Sequence, residues 1–221
     1  VYGFSMSRLR HENLYVDRFF PSPATALITI NDKRAFAKLR ELALKSDSSR
    51  IRSGVIAGMG KSKHPDTVEI LATTLGDPSI YIRQETIMSL TDMSEHSDNP
   101  RVVDLLIESL GDSAVNVRDL AASIFIFLPD TRAIAPLLSA LVDSSARVRS
   151  SAAESLGYMN DERVVQSLIN ALNDKSGSVR SSVATALGRL HDFRAIEPLI
   201  QSVTDSEVNV RFAVVQALGE M

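Results

Sequence analysis

Cysteine is absent from the 221 residues, which excludes a disulfide framework, a thiolate metal site and a cysteine nucleophile in this chain. A reducing, cytoplasm-like compartment is the expectation that fits. Tryptophan is absent too, and aromatic residues make up only 5% of the chain, so the core has to be aliphatic. No run approaches the roughly 18 to 20 continuous apolar residues of a membrane span, and residues 1–20 lack the apolar centre of a signal peptide. Positive charge is not in excess: the formal net charge is −3, which argues against a general binder of nucleic-acid phosphates. Neither a Gly-rich phosphate loop, a Gly-x-Ser-x-Gly elbow nor an HExxH helix occurs. With 44% hydrophobic and 23% charged residues, the chain is nevertheless composed like an ordinary folded protein.

What is present is repetition. An apolar residue followed by Arg recurs as Ile51-Arg52, Ile82-Arg83, Val117-Arg118, Val148-Arg149, Val179-Arg180 and Val210-Arg211. The interval is the same throughout except from Arg83 to Arg118, where it is longer and the polar stretch Ser94 to Asn99 accommodates the excess. A fixed period of roughly 20–50 residues is the mark of a repeat architecture. Six residues before the Arg stands an Asp, at Asp77, Asp112, Asp143, Asp174 and Asp205; the first unit has Ser46 and Asp47 there. An Asp in such a turn can cap the free N–H groups of the next helix and complements its dipole. A second Arg stands at its own fixed place earlier in the unit, at Arg101, Arg132, Arg163 and Arg194, two residues after Asn99, Asp130, Asp161 or Asp192. Each unit therefore has two polar turns.

Between the turns the apolar spacing is helical, as in Val148, Ala152, Ala153 and Leu156. The expected helix pairs are 34–46 with 49–60, 66–76 with 80–92, 100–111 with 115–128, 132–142 with 146–158, 163–173 with 177–190, and 194–203 with 208–221. Gly60, Gly157, Gly188 and Gly219 stand eight residues after the repeat Arg, where glycine either terminates the helix or permits close packing.

The Asp-to-Arg spacing, and phrases such as VRSSAAESLGYMNDERVVQSLINAL from Val148 to Leu172, resemble the HEAT-repeat family in the short, regular subtype named after phycobilisome lyases. The resemblance covers residues 34–221. It implies an all-α superhelix of about six helix pairs, with the second helices lining its concave side. It also implies a range of roles, from bilin lyase subunits and phycobilisome-degradation factors to adaptors and scaffolds. Residues 1–33 read as an N-terminal cap containing a degenerate half repeat. Ser22-Pro23 opens that half repeat, and Tyr2, Phe4, Tyr15, Phe19 and Phe20 precede it. The chain starts at Val1 and stops inside a second-helix phrase, which reads as a cut from a longer protein or an end covered by another subunit.

Asp77 with Arg83, Asp112 with Arg118, Asp143 with Arg149, Asp174 with Arg180 and Asp205 with Arg211 are expected to form a structural ladder. In it one unit's Arg bonds its own Asp and the neighbour's carbonyls. The histidines His11, His64, His96 and His191 occupy unrelated places, so no metal site is expected. Deoxyhypusine hydroxylase, a HEAT-type metalloenzyme, needs several His-Glu pairs, and only His11-Glu12 occurs here.

Counted from the repeat Arg, positions +1, +5 and +9 fall on a face apart from the buried stripe at −1, +3, +4 and +7. On it we expect partner-binding residues at Met88, Asp119, Ser123, Phe127, Glu154, Tyr158, Arg189 and Phe212, the large apolar members acting as anchors. The helix around Ser123 to Leu128 is apolar on most sides and should be covered. The expected function is a non-catalytic scaffold that binds a protein partner in the groove, with no cofactor, no nucleic acid and no membrane span. The resemblance supports an alternative, a bilin lyase subunit or phycobilisome-associated factor. That protein would handle phycocyanobilin or a related bilin beside Tyr158 with Glu154 or Asp119, its partner a phycobiliprotein or a second solenoid subunit. A solenoid domain of a larger enzyme or signalling protein is a third reading.

Overall fold

Asp and Ser at the turns, and aliphatic residues at helical spacing between them, produce helices joined by short loops. The computed structural model describes residues 33–221, and all the regular structure among them is helical. The expected cap over residues 1–33 lies outside the described residues, apart from the backbone of Lys33. Twelve α-helices follow in pairs among the described residues: α1 Lys33–Lys45 and α2 Ser49–Met59, α3 Thr67–Thr74 and α4 Ile80–Ser94, α5 Pro100–Glu108 and α6 Val115–Ile124. The remaining pairs are α7 Ile134–Ala140 and α8 Ala146–Tyr158, α9 Val165–Ala171 and α10 Gly177–Leu190, and α11 Ile196–Gln201 and α12 Val208–Glu220. These are the six pairs expected; in the last four the first helix is shorter because 3₁₀ turns take up residues at its ends. No helix among the described residues is long and apolar enough to cross a membrane.

The chain forms two units, Val1–Leu105 and Leu106–Met221. In the first, α1 packs on α2 and α3, and α2 and α3 pack on α4. Ile56, Met59, Leu71, Ile82, Ile87 and Leu90 make its core. In the second, α6, α8, α10 and α12 pack in succession, and α7, α9 and α11 each lean on the second helix that follows. The aliphatic stripe is buried as expected at Val117, Val148, Val179 and Val210. It departs at Ile51, which is 47% exposed, and at Val215, which is 58% exposed although its counterparts Ala153 and Ala184 are fully buried.

Of the glycines eight residues after the Arg, Gly60 stands at the end of α2, while Gly157 and Gly188 serve packing. Helices α8 and α10 run through Gly157 and Gly188 without stopping. A Cβ at Gly157 would lie 2.7 Å from Ala186 Cα, and one at Gly188 would lie 2.8 Å from Ala217 Cα. Backbones approach this closely only where one side chain is missing. On the other side of α8, Ser155 Oγ donates to the Ala122 carbonyl of α6 at 2.6 Å. Left-handed backbone is adopted instead by Asn160 and His191, at the ends of α8 and α10. The third unit differs: α6 stops at Ile124, and two turn bonds, Ile126 N–H to Ser123 and Phe127 N–H to Ile124, reverse the chain. Phe125 is fully buried there, while Phe127 keeps 36% exposure.

The Arg ladder has a different wiring from the one expected. Arg118 donates from Nη1 to the backbone carbonyl of its own unit's Asp112 at 2.8 Å. Its Nε and Nη2 grip the carboxylate of the next unit's Asp143 at 2.7 and 3.0 Å. Arg149 and Arg180 repeat this with Asp174 and Asp205, and Arg52 does so with Ser46 O and Asp77. Arg83 and Arg211 likewise donate from Nη1 to Asp77 O and Asp205 O. The carboxylate that takes the preceding unit's Arg also closes its own turn: Asp143 Oδ1 accepts from Ser145 N–H and Asp174 Oδ1 from Ser176 N–H, and Asp112 Oδ1 accepts from Ala114 N–H in the same way. Those N–H donors belong to the residue just before the helix, so the Asp orders the turn and does not cap the first helical N–H groups as expected. In the first unit Ser46 Oγ takes over, accepting from Ser48 N–H. At the other turns, Asp130, Asp161 and Asp192 each accept from the N–H of the Arg two residues on, and that guanidinium folds back onto the same carboxylate.

The Arg149 side chain is only 5% exposed, so its removal strands a half-buried Asp174. Arg149→Ala is expected to cost about 3 kcal/mol, and Arg149→Lys less, both read by urea unfolding. The forks also define an acid limit. Arg180 holds the Asp205 carboxyl down at about 2, against an opposing push from burial. Asp143 and Asp174 are lowered by Arg118 and Arg149 in the same way. A depressed folded-state value stabilises the protein fully above the unfolded carboxylate range, near about 3.9, and is lost as pH falls through the folded value. The urea midpoint should therefore drop between about pH 4 and pH 2, less steeply in Asp205→Asn. The close approach of α8 and α10 predicts that Gly157→Ala destabilises by about 1–3 kcal/mol. In contrast, Gly54→Ala, which meets nothing within 4 Å in the interior of α2, should stabilise by up to about 1 kcal/mol.

Candidate groove on the second helices

The repeat register fixed by the ladder places the same position of successive second helices side by side. In the second unit this creates a groove of about 580 Å³ across α8, α10 and α12. It is lined at +1 and +5 by Ser150 and Glu154, Ser181 and Thr185, and Phe212 and Gln216. Of the expected partner-binding residues, the structure brings Glu154 and Phe212 together here. Phe212 is 64% exposed, an aromatic ledge on an otherwise polar wall.

The other expected residues sit elsewhere. Asp119 accepts from Ser151 Oγ at 2.7 Å and is bridged by Arg147, so its carboxylate is committed within the fold. Tyr158, 42% exposed, lies under Arg189, with the guanidinium carbon 4.4 Å from the ring centroid. The two form their own pair and neither lines the groove. The bilin-site combination of Tyr158 with Glu154 or Asp119 is thus divided, since Glu154 alone of the three faces the groove. Ser123 donates to the Leu120 carbonyl of its own helix, and Phe127 stands past the end of α6. Met88 is half-buried on α4 in the first unit, where Ser53, expected on the open face, is buried and hydrogen-bonded to Tyr81.

Glu207, Ser178, Asn209 and Ser182 also line the groove, at offsets of −4, −2 and +2 from the repeat Arg. The first turns of α10 and α12 reach the groove too, at Ser178 and Asn209, with Glu207 just before α12. Their signal was present in the period, since Arg147, Ser178 and Asn209 share the −2 position. Hydroxyls tie the wall together: Ser150 Oγ lies 2.8 Å from Ser182 Oγ, and Ser182 Oγ donates to Glu154 Oε1 at 2.8 Å. The Glu207 carboxylate packs on Gly177, in the space a Cβ would fill, and lies 3.9 Å from Arg180. Among the described residues no cluster of His, Asp and Glu could hold a metal ion.

The fold and its repeating site define a helical-repeat protein, and the HEAT-repeat model matches residues 23–91, 73–157, 103–183 and 165–221. The chain belongs to the HEAT-repeat family. No curated protein matches it. Among solved structures it is similar to YibA of E. coli, with a TM-score of 0.61 and 23% identity over 90% of this chain and 74% of that one. It is similar as well to the complex of CpcE and CpcF of phycocyanin lyase from Nostoc, with a TM-score of 0.58 and 19% identity over 99% of this chain and 80% of that one. A computationally designed armadillo repeat protein for modular peptide recognition gives 0.52 and 15% identity, over 91% and 100%. At these identities the likeness concerns the fold.

Proposed function

We propose that this protein is a non-catalytic interaction module that holds a segment of a partner protein in the groove of α8, α10 and α12. The observation that carries the reading is the groove itself: its size falls in the range of ligand clefts, about 300–1,000 Å³, and Phe212 offers an anchor beside hydrogen-bonding side chains. The paired residues Asp119 with Arg147 and Tyr158 with Arg189 fit a supporting role at its margin. The designed armadillo protein for modular peptide recognition is a precedent for a stacked-helix fold used in this way. A cytoplasmic location, expected from the lack of cysteine, belongs to the same proposal.

A second reading is favoured by the likeness to the phycocyanin lyase complex, which extends over 99% of this chain. On it, the chain belongs to the phycobilisome-lyase subtype of HEAT repeats and works with a second solenoid subunit on a phycobiliprotein, handling a bilin such as phycocyanobilin.

Both readings are testable with one variant. Ser178→Trp fills the groove from its exposed rim and should leave helicity and Tm unchanged. Chemical crosslinking in lysate followed by mass spectrometry should show a partner whose yield falls about tenfold or more in this variant. Undiminished crosslinking would move the site away from the groove. A shift of the phycocyanobilin absorption band on mixing with the protein, lost in Ser178→Trp, would favour the bilin reading instead.

A further inference from the structure

Electrostatics narrows the kind of segment that fits. Two carboxylates, Glu154 and Glu207, line the groove, and no Lys, Arg or His does. Glu154 Oε1 accepts from Ser182 Oγ, and its second oxygen has no protein donor among the described residues. Arg180 lies 3.9 Å from Glu207, but its Nε and Nη2 are already bound to Asp205 at 2.7 and 2.8 Å, so that cation is largely committed elsewhere. The remaining wall, Ser150, Ser181, Thr185 and Gln216, is neutral and able to accept hydrogen bonds.

An occupant that covers this wall removes water from both carboxylates. A neutral or acidic occupant would leave them desolvated and unpaired, at a free-energy penalty, whereas ammonium or guanidinium groups replace the lost water directly. Phe212 supports the choice, because its exposed ring can carry the aliphatic stem of a Lys or Arg and attract its charge. The geometry of the helices then sets the form of the occupant. Packed helices stand roughly 8–10 Å apart, and a polyproline-like extended chain advances about 9 Å in three residues. Such a chain laid across α8, α10 and α12 presents equivalent side chains to successive helices.

We propose that the groove recognises an extended cationic peptide segment, whose Lys or Arg side chains pair with Glu154 and Glu207 beside Phe212. The inference rests on the proposed role of the groove and adds the charge and conformation of what it takes.

Fluorescence anisotropy with three labelled nonapeptides, (Lys-Ser-Ser)3, (Gln-Ser-Ser)3 and (Glu-Ser-Ser)3, tests it on the full chain at low salt. The Lys peptide should bind at least tenfold more tightly than the Gln peptide, and the Glu peptide should not bind. Glu154→Gln and Glu207→Gln should each weaken the Lys peptide about fivefold. Glu197→Gln, which removes a charge from exposed α11 outside the groove, should change it less than twofold. Equal weakening by Glu197→Gln would show diffuse attraction and overturn the inference. If the Gln peptide binds as well as the Lys peptide and Ser178→Trp abolishes both, the groove stands as a binding site and the charge preference is wrong. If no peptide binds, or Ser178→Trp leaves binding intact, the role given to the groove fails along with it.

Discussion

The guanidinium of the repeat Arg is the joint on which the rest of the structure depends. It commits one nitrogen to the carbonyl of its own unit's turn and two to the carboxylate of the next unit's Asp. That carboxylate in turn accepts the backbone N–H that shapes its own turn. One planar group therefore connects a turn to the following turn, and the planarity of both partners leaves little freedom in how they meet. Arg149 is nearly buried, and a buried pair this well satisfied contributes more to fixed geometry than to raw stability. Its product is register: within the second unit the fork recurs at constant interval at Arg118, Arg149 and Arg180, and the second helices there present the same positions to the same side.

Close packing of the second helices adds depth to that alignment. Gly157 against Ala186 and Gly188 against Ala217 bring α8, α10 and α12 together at backbone contact, and small hydroxyl residues fill the surface between them. Ile126 stands at the corresponding place in the third unit, and α6 ends before it. The regular groove is thus a property of the last three second helices, where glycine and serine recur.

The groove's character follows from which charges are left over. Asp119 is consumed by Arg147 and Ser151, and Arg189 covers Tyr158. Glu154 and Glu207 retain capacity, and Phe212 stays open. A surface whose charges are already paired offers a partner little electrostatic selectivity, and one whose carboxylates can still accept offers a good deal.

The sequence alone determined the helix pairs, their number and the arginine period. These follow from local spacing, because helical periodicity and turn chemistry act within a few residues of the chain. It did not determine whether the Arg would choose its own Asp or that of the next unit, since both are present and only the packed turns decide which carboxylate lies in the plane of the guanidinium. Nor could it separate Phe212, which faces the groove, from Asp119, which occupies the equivalent repeat position but is claimed by side chains of the next unit. Burial and pairing between repeats are settled by the distance between helices, and that distance is set by what glycine, alanine and serine allow across the interface.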